Sequence, residues 1–205
     1  PWQVGHKTAY EYGRLANETA KTYRKFDKDL ELIVCGSSND KMETYPEWEA
    51  EVLDQSYESV DYISLHKYWN NYPKDTLNYL ASHYELDEYI GTVRSVIQYI
   101  KAKKRAKNDV YICFDEWNPW YHNNKRDHEL LKTWDWPEAP HLFEDPYNLE
   151  DALLVGTVIN SFIRNADIVK VACMAQLINV IAPISTEKGG ACLLYTSPSP
   201  RDLRK

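Results

Sequence analysis

Four short runs of nearly unbroken apolar residues, each parted from the next by a helical pattern, constrain this chain more than any other feature. They are 30–35 (LELIVC), 60–66 (VDYISLH), 110–114 (VYICF) and 169–175 (VKVACMA). Runs of this length without polar alternation predict strands buried on both faces, as in a parallel sheet covered by helices. Apolar residues recur at three- and four-residue steps between them. One set is Tyr12, Leu15, Ala16, Ala20 and Tyr23, and a second is Trp48, Val52 and Leu53. A third is Leu86, Tyr89, Ile90, Val93, Ile97 and Ile100, and a fourth is Leu149, Ala152, Leu153, Gly156, Ile159, Phe162 and Ile163. The basic stretch 101–107 closes the third set, where positive charge suits a helix C-terminus. Alternating helices and strands predict an α/β fold with a parallel sheet.

Composition narrows the function classes. With 43% hydrophobic and 13% aromatic residues, the 205-residue chain is not a disordered tail. No apolar run approaches the roughly 18 residues of a membrane span, so a membrane partner is not expected. A formal net charge of −7 speaks against a protein that tracks a nucleic-acid backbone. Seven Trp and 16 Tyr beside many carboxylates suit a neutral, ring-shaped ligand such as a sugar.

The polar residues sit where a barrel keeps its chemistry. No Gly-rich phosphate loop follows a strand, which argues against a dinucleotide fold. Instead Gly36-Ser37-Ser38-Asn39, His66-Lys67-Tyr68-Trp69, Asp115-Glu116-Trp117-Asn118 and Gln176 follow the four apolar runs. In a (β/α)8 barrel the active site lies at those C-terminal strand ends, and four strands make half of such a barrel. The connection 117–148 is long, holds Trp117, Trp120, Trp134 and Trp136, and has the length of a functional loop. Cys35, Cys113 and Cys173 lie inside apolar runs without metal-type spacing, which predicts reduced, buried thiols. His66, His122, His128 and His141 show no H-x-x-x-H pattern, so no metal and no cofactor is expected.

Both ends read as cut. The chain opens Pro1-Trp2-Gln3, without Met or a targeting pattern. Residues 192–202 (CLLYTSPSPRD) resemble the in-frame translation of a sequencing adapter, so 192–205 are set aside as non-native.

Glu116 is the strongest catalytic candidate. It follows an apolar strand and is flanked by Trp117, a setting that suits a nucleophile or an acid/base group. From the strand context alone, a salt-bridged strand-end glutamate fits equally well. Phe114-Asp115-Glu116-Trp117-Asn118, with Trp120-Tyr121-His122, resembles the nucleophile strand of the α-L-arabinofuranosidases of glycoside hydrolase family 51. Other segments resemble that family in the same order. They are 1–9 with 11–16 (after the fourth strand), 34–38 (fifth strand), 63–66 (sixth), 144–153 (helix before the eighth) and 172–184 (eighth). The likeness spans residues 1–191. It implies a partial (β/α)8 TIM barrel, approximately strands 5 to 8 with their helices, and a retaining hydrolase of terminal α-L-arabinofuranosyl groups on glycans.

The resemblance also implies roles. Glu116 matches the nucleophile and Tyr68 the phenol that orients it. His66, two residues earlier on the same strand face, lines the sugar pocket or braces Glu116. Gln176 matches a residue that bonds a sugar hydroxyl, and Trp120 and Trp2 offer flat faces to sugar rings. The family's acid/base glutamate lies in an Asn-Glu pair before the position of Pro1. Glu11 and Glu18 fall in a helix pattern and do not replace it, so the chain as written is expected to be close to inactive. A hexameric parent in the cytoplasm is the family's pattern. The competing readings are a β-xylosidase or endo-glucanase of the same barrel type, and a non-catalytic carbohydrate-binding barrel.

Overall fold

The computed structural model describes residues 4–121, 129, 132–133, 138, 145, 147–187 and 189–193. Helix α1 (Ala9–Phe26) leads to strand β1 (Ile33–Cys35), helix α2 (Glu47–Ser56) and a 3-10 turn (Tyr57–Ser59). Strand β2 (Tyr62–Trp69) is followed by α3 (Thr76–Leu80) and α4 (His83–Lys104). Strand β3 (Tyr111–Pro119), helix α5 (Leu149–Arg164) and strand β4 (Val169–Met174) complete the alternation, and β5 (Ile184–Glu187) and β6 (Gly190–Leu193) pair as an antiparallel hairpin. Strands β1 to β4 form one parallel sheet in sequence order. This is the expected α/β class. Among the described residues no helix is long and apolar enough to cross a membrane.

Local chemistry starts and stops the helices where the sequence asks. Thr8 caps α1 by accepting from the Glu11 N–H at 3.2 Å, while the Glu11 carboxylate accepts from the Thr8 N–H at 2.9 Å. Asn148 and Asp151 make the same reciprocal box at the start of α5. Helix α4 ends on Arg105, whose φ of 54° is left-handed, after Lys101, Lys103 and Lys104 in its last turn.

One face of the sheet carries the core. Ile63 and Leu65 of β2 and Ile112 and Phe114 of β3 are fully buried with Leu86, Tyr89, Ile90 and Val93 of α4 and Leu154 and Val158 of α5. Each such side chain contributes roughly 1.5–3 kcal/mol. Phe162 of α5 packs between Phe114, tilted against it, and Trp117, edge-on, with ring centroids at 5.0 and 5.2 Å. Gly36 directly follows β1, and its N–H donates to Ser64 O at 3.0 Å. A Cβ there would run into that same carbonyl oxygen, so the close strand approach requires glycine.

Three expectations are corrected. The edge strands are not buried on both faces: Ile33 and Cys35 of β1 and much of β4 are exposed, whereas Ser64 of β2 and Cys113 of β3 are buried opposite the helix-covered face. Cys35 and Cys173 lie on these edge strands and are exposed, and Cys113 on central β3 is buried. Helix α5 buries Leu154, Val155, Val158 and Phe162, whereas Leu149, Leu153 and Ile163 face solvent. Its sequence is apolar nearly all round, so periodicity alone does not choose the inward face. The hairpin also takes in Cys192 and Leu193, paired with Ser185 and Ile184.

Candidate active site

The uncovered face of the sheet holds the predicted site. Alternation along β2 turns Lys67 toward α4, where its buried ammonium pairs with Asp40 at 2.5 Å and lies 3.6 Å from Glu85, and turns His66 and Tyr68 the other way. On β3 the pairing runs Leu65 with Phe114 and then His66 with Glu116, so Asp115 is an extra residue in a β-bulge. The bulge re-aims the strand end and sets Glu116 beside His66 and Tyr68.

Glu116 is held by one oxygen. The Tyr68 hydroxyl donates to Oε2 at 3.0 Å, and His66 Nδ1 lies 3.5 Å from that same oxygen. Among the described residues, none donates to Oε1. The carboxylate is 48% exposed and opens onto a cavity of about 1000 Å³, which His66, Tyr68, Trp120, Asn39 and Asn70 also line. Burial, reinforced by the Glu116 bond, raises the Tyr68 phenol far above its ordinary pKa, so it remains a donor throughout the physiological range.

Asp115 faces the other nitrogen of His66, with Nε2 at 3.1 Å from Oδ1. The hydrogen bond to Asp115 raises the imidazole pKa most. Burial opposes it, and the charges of Asp115 and Glu116 add to the rise. A raised folded-state value means that the pairing stabilises the fold fully below the unfolded pKa of about 6.5 and fades as pH rises through the folded value. His66→Asn should therefore lower the melting temperature at about pH 6, and the gap should close toward about pH 9. Melting curves across that range check the sign.

Trp120 is fixed from all sides. Its ring meets Tyr68 edge-on, with centroids 4.9 Å apart, and its backbone N–H donates to Trp69 O at 2.6 Å. The preceding carbonyl, Pro119 O, accepts from the Tyr147 hydroxyl at 2.8 Å. The following residue, Tyr121, donates through its hydroxyl to buried Asp151 at 2.7 Å, beside the Tyr79 hydroxyl at 2.8 Å. Burial pushes the Tyr121 pKa up to about 12 and that of Tyr79 still higher.

The remaining candidates separate. Gln176 follows β4 and is exposed, and it is not among the residues that line the cavity. Its peptide bond to Ala175 is cis. The buried Asn118 amide donates to Ala175 O at 2.7 Å and to Ile181 O, tying the Gln176 segment to the end of β3. Trp2 lies outside the described residues, as do His122, His128, His141, Trp134 and Trp136. Glu11 caps α1 and Glu18 pairs with Lys21 at 3.2 Å, so both are engaged on the first helix, as expected. Sequence reasoning missed Asp115 and Asn118. Both stand in the Asp-Glu-Trp-Asn string, but only the bulge and the β4 exit give them partners.

Residues 115–202 match the family described as the alpha-L-arabinofuranosidase C-terminal domain. The chain is 54% identical over 190 residues to an intracellular exo-alpha-(1->5)-L-arabinofuranosidase of Acetivibrio thermocellus, covering 93% of this chain and 38% of that protein. It is 53% identical over 190 residues to intracellular exo-alpha-(1->5)-L-arabinofuranosidase 1 of Bacillus subtilis, covering 93% and 37%. Among solved structures, a family 51 alpha-L-arabinofuranosidase from Bifidobacterium longum superposes with a TM-score of 0.85 at 33% identity, over 93% of this chain and 40% of that one. An alpha-L-arabinofuranosidase from Thermotoga maritima in complex with arabinose gives 0.74 at 33% identity, over 94% and 35%. The chain thus spans about two fifths of the length of these relatives. Across the residues it spans, the chain is similar to α-L-arabinofuranosidases, among them one of family 51.

Proposed function

We propose that this chain carries the nucleophile half of a retaining exo-α-L-arabinofuranosidase, and that the complete enzyme removes terminal α-L-arabinofuranosyl groups from arabinose-containing glycans. The observation that supports it most is the state of Glu116: one carboxylate oxygen is held by Tyr68, the other has no donor among the described residues, and the side chain lines a cavity at a strand's C-terminal end. In this reading Oε1 attacks C1 of the sugar as the bond from C1 to the leaving oxygen breaks, and a second carboxyl protonates that oxygen. The same carboxyl then activates water, which returns Glu116 to its ionised form with net retention. The bond from Tyr68 keeps Oε2 out of the reaction and the carboxylate plane in register.

By the family resemblance His66, Gln176, Trp120 and Trp2 are assigned to the sugar pocket; of these, His66 and Trp120 line the cavity beside Glu116, and Tyr68 meets Trp120 edge-on. We place residues 1–191 as strands 5 to 8 of the barrel with their helices, and 192–205 as adapter read-through. The acid/base carboxyl then comes from residues outside this chain, and the chain alone is close to inactive. The named location of the bacterial relatives supports an intracellular enzyme, and the family's oligomeric habit supports a hexamer.

The test is a chimera in which residues 1–191 replace the matching stretch of the Acetivibrio thermocellus relative. A mechanism-based arabinofuranosyl inhibitor should label it on Glu116, read by peptide mass mapping. Labelling of another residue, or none in an otherwise folded chimera, overturns the reading.

A further inference from the structure

The retaining chemistry uses Glu116 and has no task for its neighbour Asp115. Along a regular strand, two consecutive side chains point to opposite faces. The bulge in β3 removes that alternation and lets both carboxylates reach the same imidazole. His66 Nε2 is 3.1 Å from Asp115 Oδ1, and Nδ1 is 3.5 Å from Glu116 Oε2. A neutral imidazole has one N–H and one lone pair, so it would aim the lone pair at one of the two carboxylates. Only the imidazolium offers an N–H to each. Asp115 Oδ1 is shielded from solvent and has no hydrogen-bond partner among the described residues, so its 3.1 Å approach to Nε2 is a charge contact with a site still open for a donated N–H.

We propose that Asp115 is a positioning residue that keeps His66 doubly protonated and turned, so that its Nδ1–H faces the held oxygen of the nucleophile. The inference rests on the reading of Glu116 as nucleophile and extends it to charge control. While Glu116 is ionised, the cation and the Tyr68 hydroxyl share Oε2. When Glu116 becomes an ester its charge disappears, and Asp115 still neutralises the imidazolium, which therefore has no reason to release its proton. When water cleaves the ester, the carboxylate re-forms beside a cation already in place, without reorganisation.

The groups facing the imidazole bear this out. From β3 they are Asp115 and Glu116, and their contact raises His66 above its ordinary value. From its own strand, Tyr68 shares the Glu116 oxygen. From the β1 exit, Ser37 presents only its carbonyl, which accepts the His66 backbone N–H at 3.3 Å. Lys67, with Asp40 and Glu85, lies on the opposite face of β2.

Histidine-selective 15N labelling of the chain, with His66→Asn to assign the signal, tests the proposal. Both His66 nitrogens should carry protons at about pH 7, and Asp115→Asn should lower the titration midpoint by about one unit or more. Asp115→Glu, which keeps the charge, should restore most of that shift. A single neutral tautomer in the unaltered chain at about pH 7, or an equal midpoint in Asp115→Asn, overturns the proposal. If Asp115→Asn does not fold, the tautomer of the unaltered chain decides. Inhibitor labelling of Glu116 in the chimera is a separate readout, so a failed nucleophile and a failed Asp115 role give different patterns.

Discussion

Glu116→Ala, placed in the chimera with the Acetivibrio thermocellus relative, should lower turnover of an aryl arabinofuranoside by about 10⁴-fold or more, the scale on which loss of a covalent nucleophile acts. The geometry accounts for a loss in kcat rather than in binding. Shortening the side chain removes the atom that bonds C1, while Trp120 stays in place through Trp69, Tyr147 and Tyr121. The KM should therefore move much less than kcat. Full turnover in the alanine variant would mean that the strand-end glutamate is structural, and the functional reading would fall with it. Melting curves of the variant separate lost chemistry from lost fold, because Glu116 is half exposed and contributes little burial.

Asp151→Ala should be the largest effect on stability, about 3 to 5 kcal/mol, read from denaturant midpoints in the same chimera. Asp151 is fully buried and accepts from the Tyr79 and Tyr121 hydroxyls and from the Asn148 N–H at 2.9 Å. Alanine leaves two phenols without their acceptor in a closed site, and it also opens the cap of α5. The effect should reach the active site. Tyr121 directly follows Trp120, so its release frees the ring that braces Tyr68. A loss below about 1 kcal/mol would show that the phenols find other partners or water on removal of the carboxylate.

Much of this architecture was legible from pattern. The six apolar residues 86, 89, 90, 93, 97 and 100 are the buried face of α4, and the basic stretch closes that helix. The pairing of Tyr68 with Glu116 was implied by the family resemblance, and the two strands that carry them are neighbours in register. Other features were not legible. The inward face of α5 was hidden because apolar residues occur on every side of it. Lys67 sits in an apolar-looking strand, yet it is buried in an ion pair, which only the approach of Asp40 and Glu85 makes tolerable.

By itself the sequence determined which residue types could meet: a parallel sheet from runs of apolar residues, and carboxylate, phenol and imidazole at adjacent strand ends. Those follow from periodicity, which is local. The tertiary structure alone decided that Asp115 and Glu116 share one imidazole, that a single oxygen of Glu116 is held, and that Asp151 anchors the loop of Trp120. These depend on a one-residue slip between two strands and on partners as many as 72 positions apart. Spacing along a chain does not encode a slip in register, because hydrogen bonding between strands sets it.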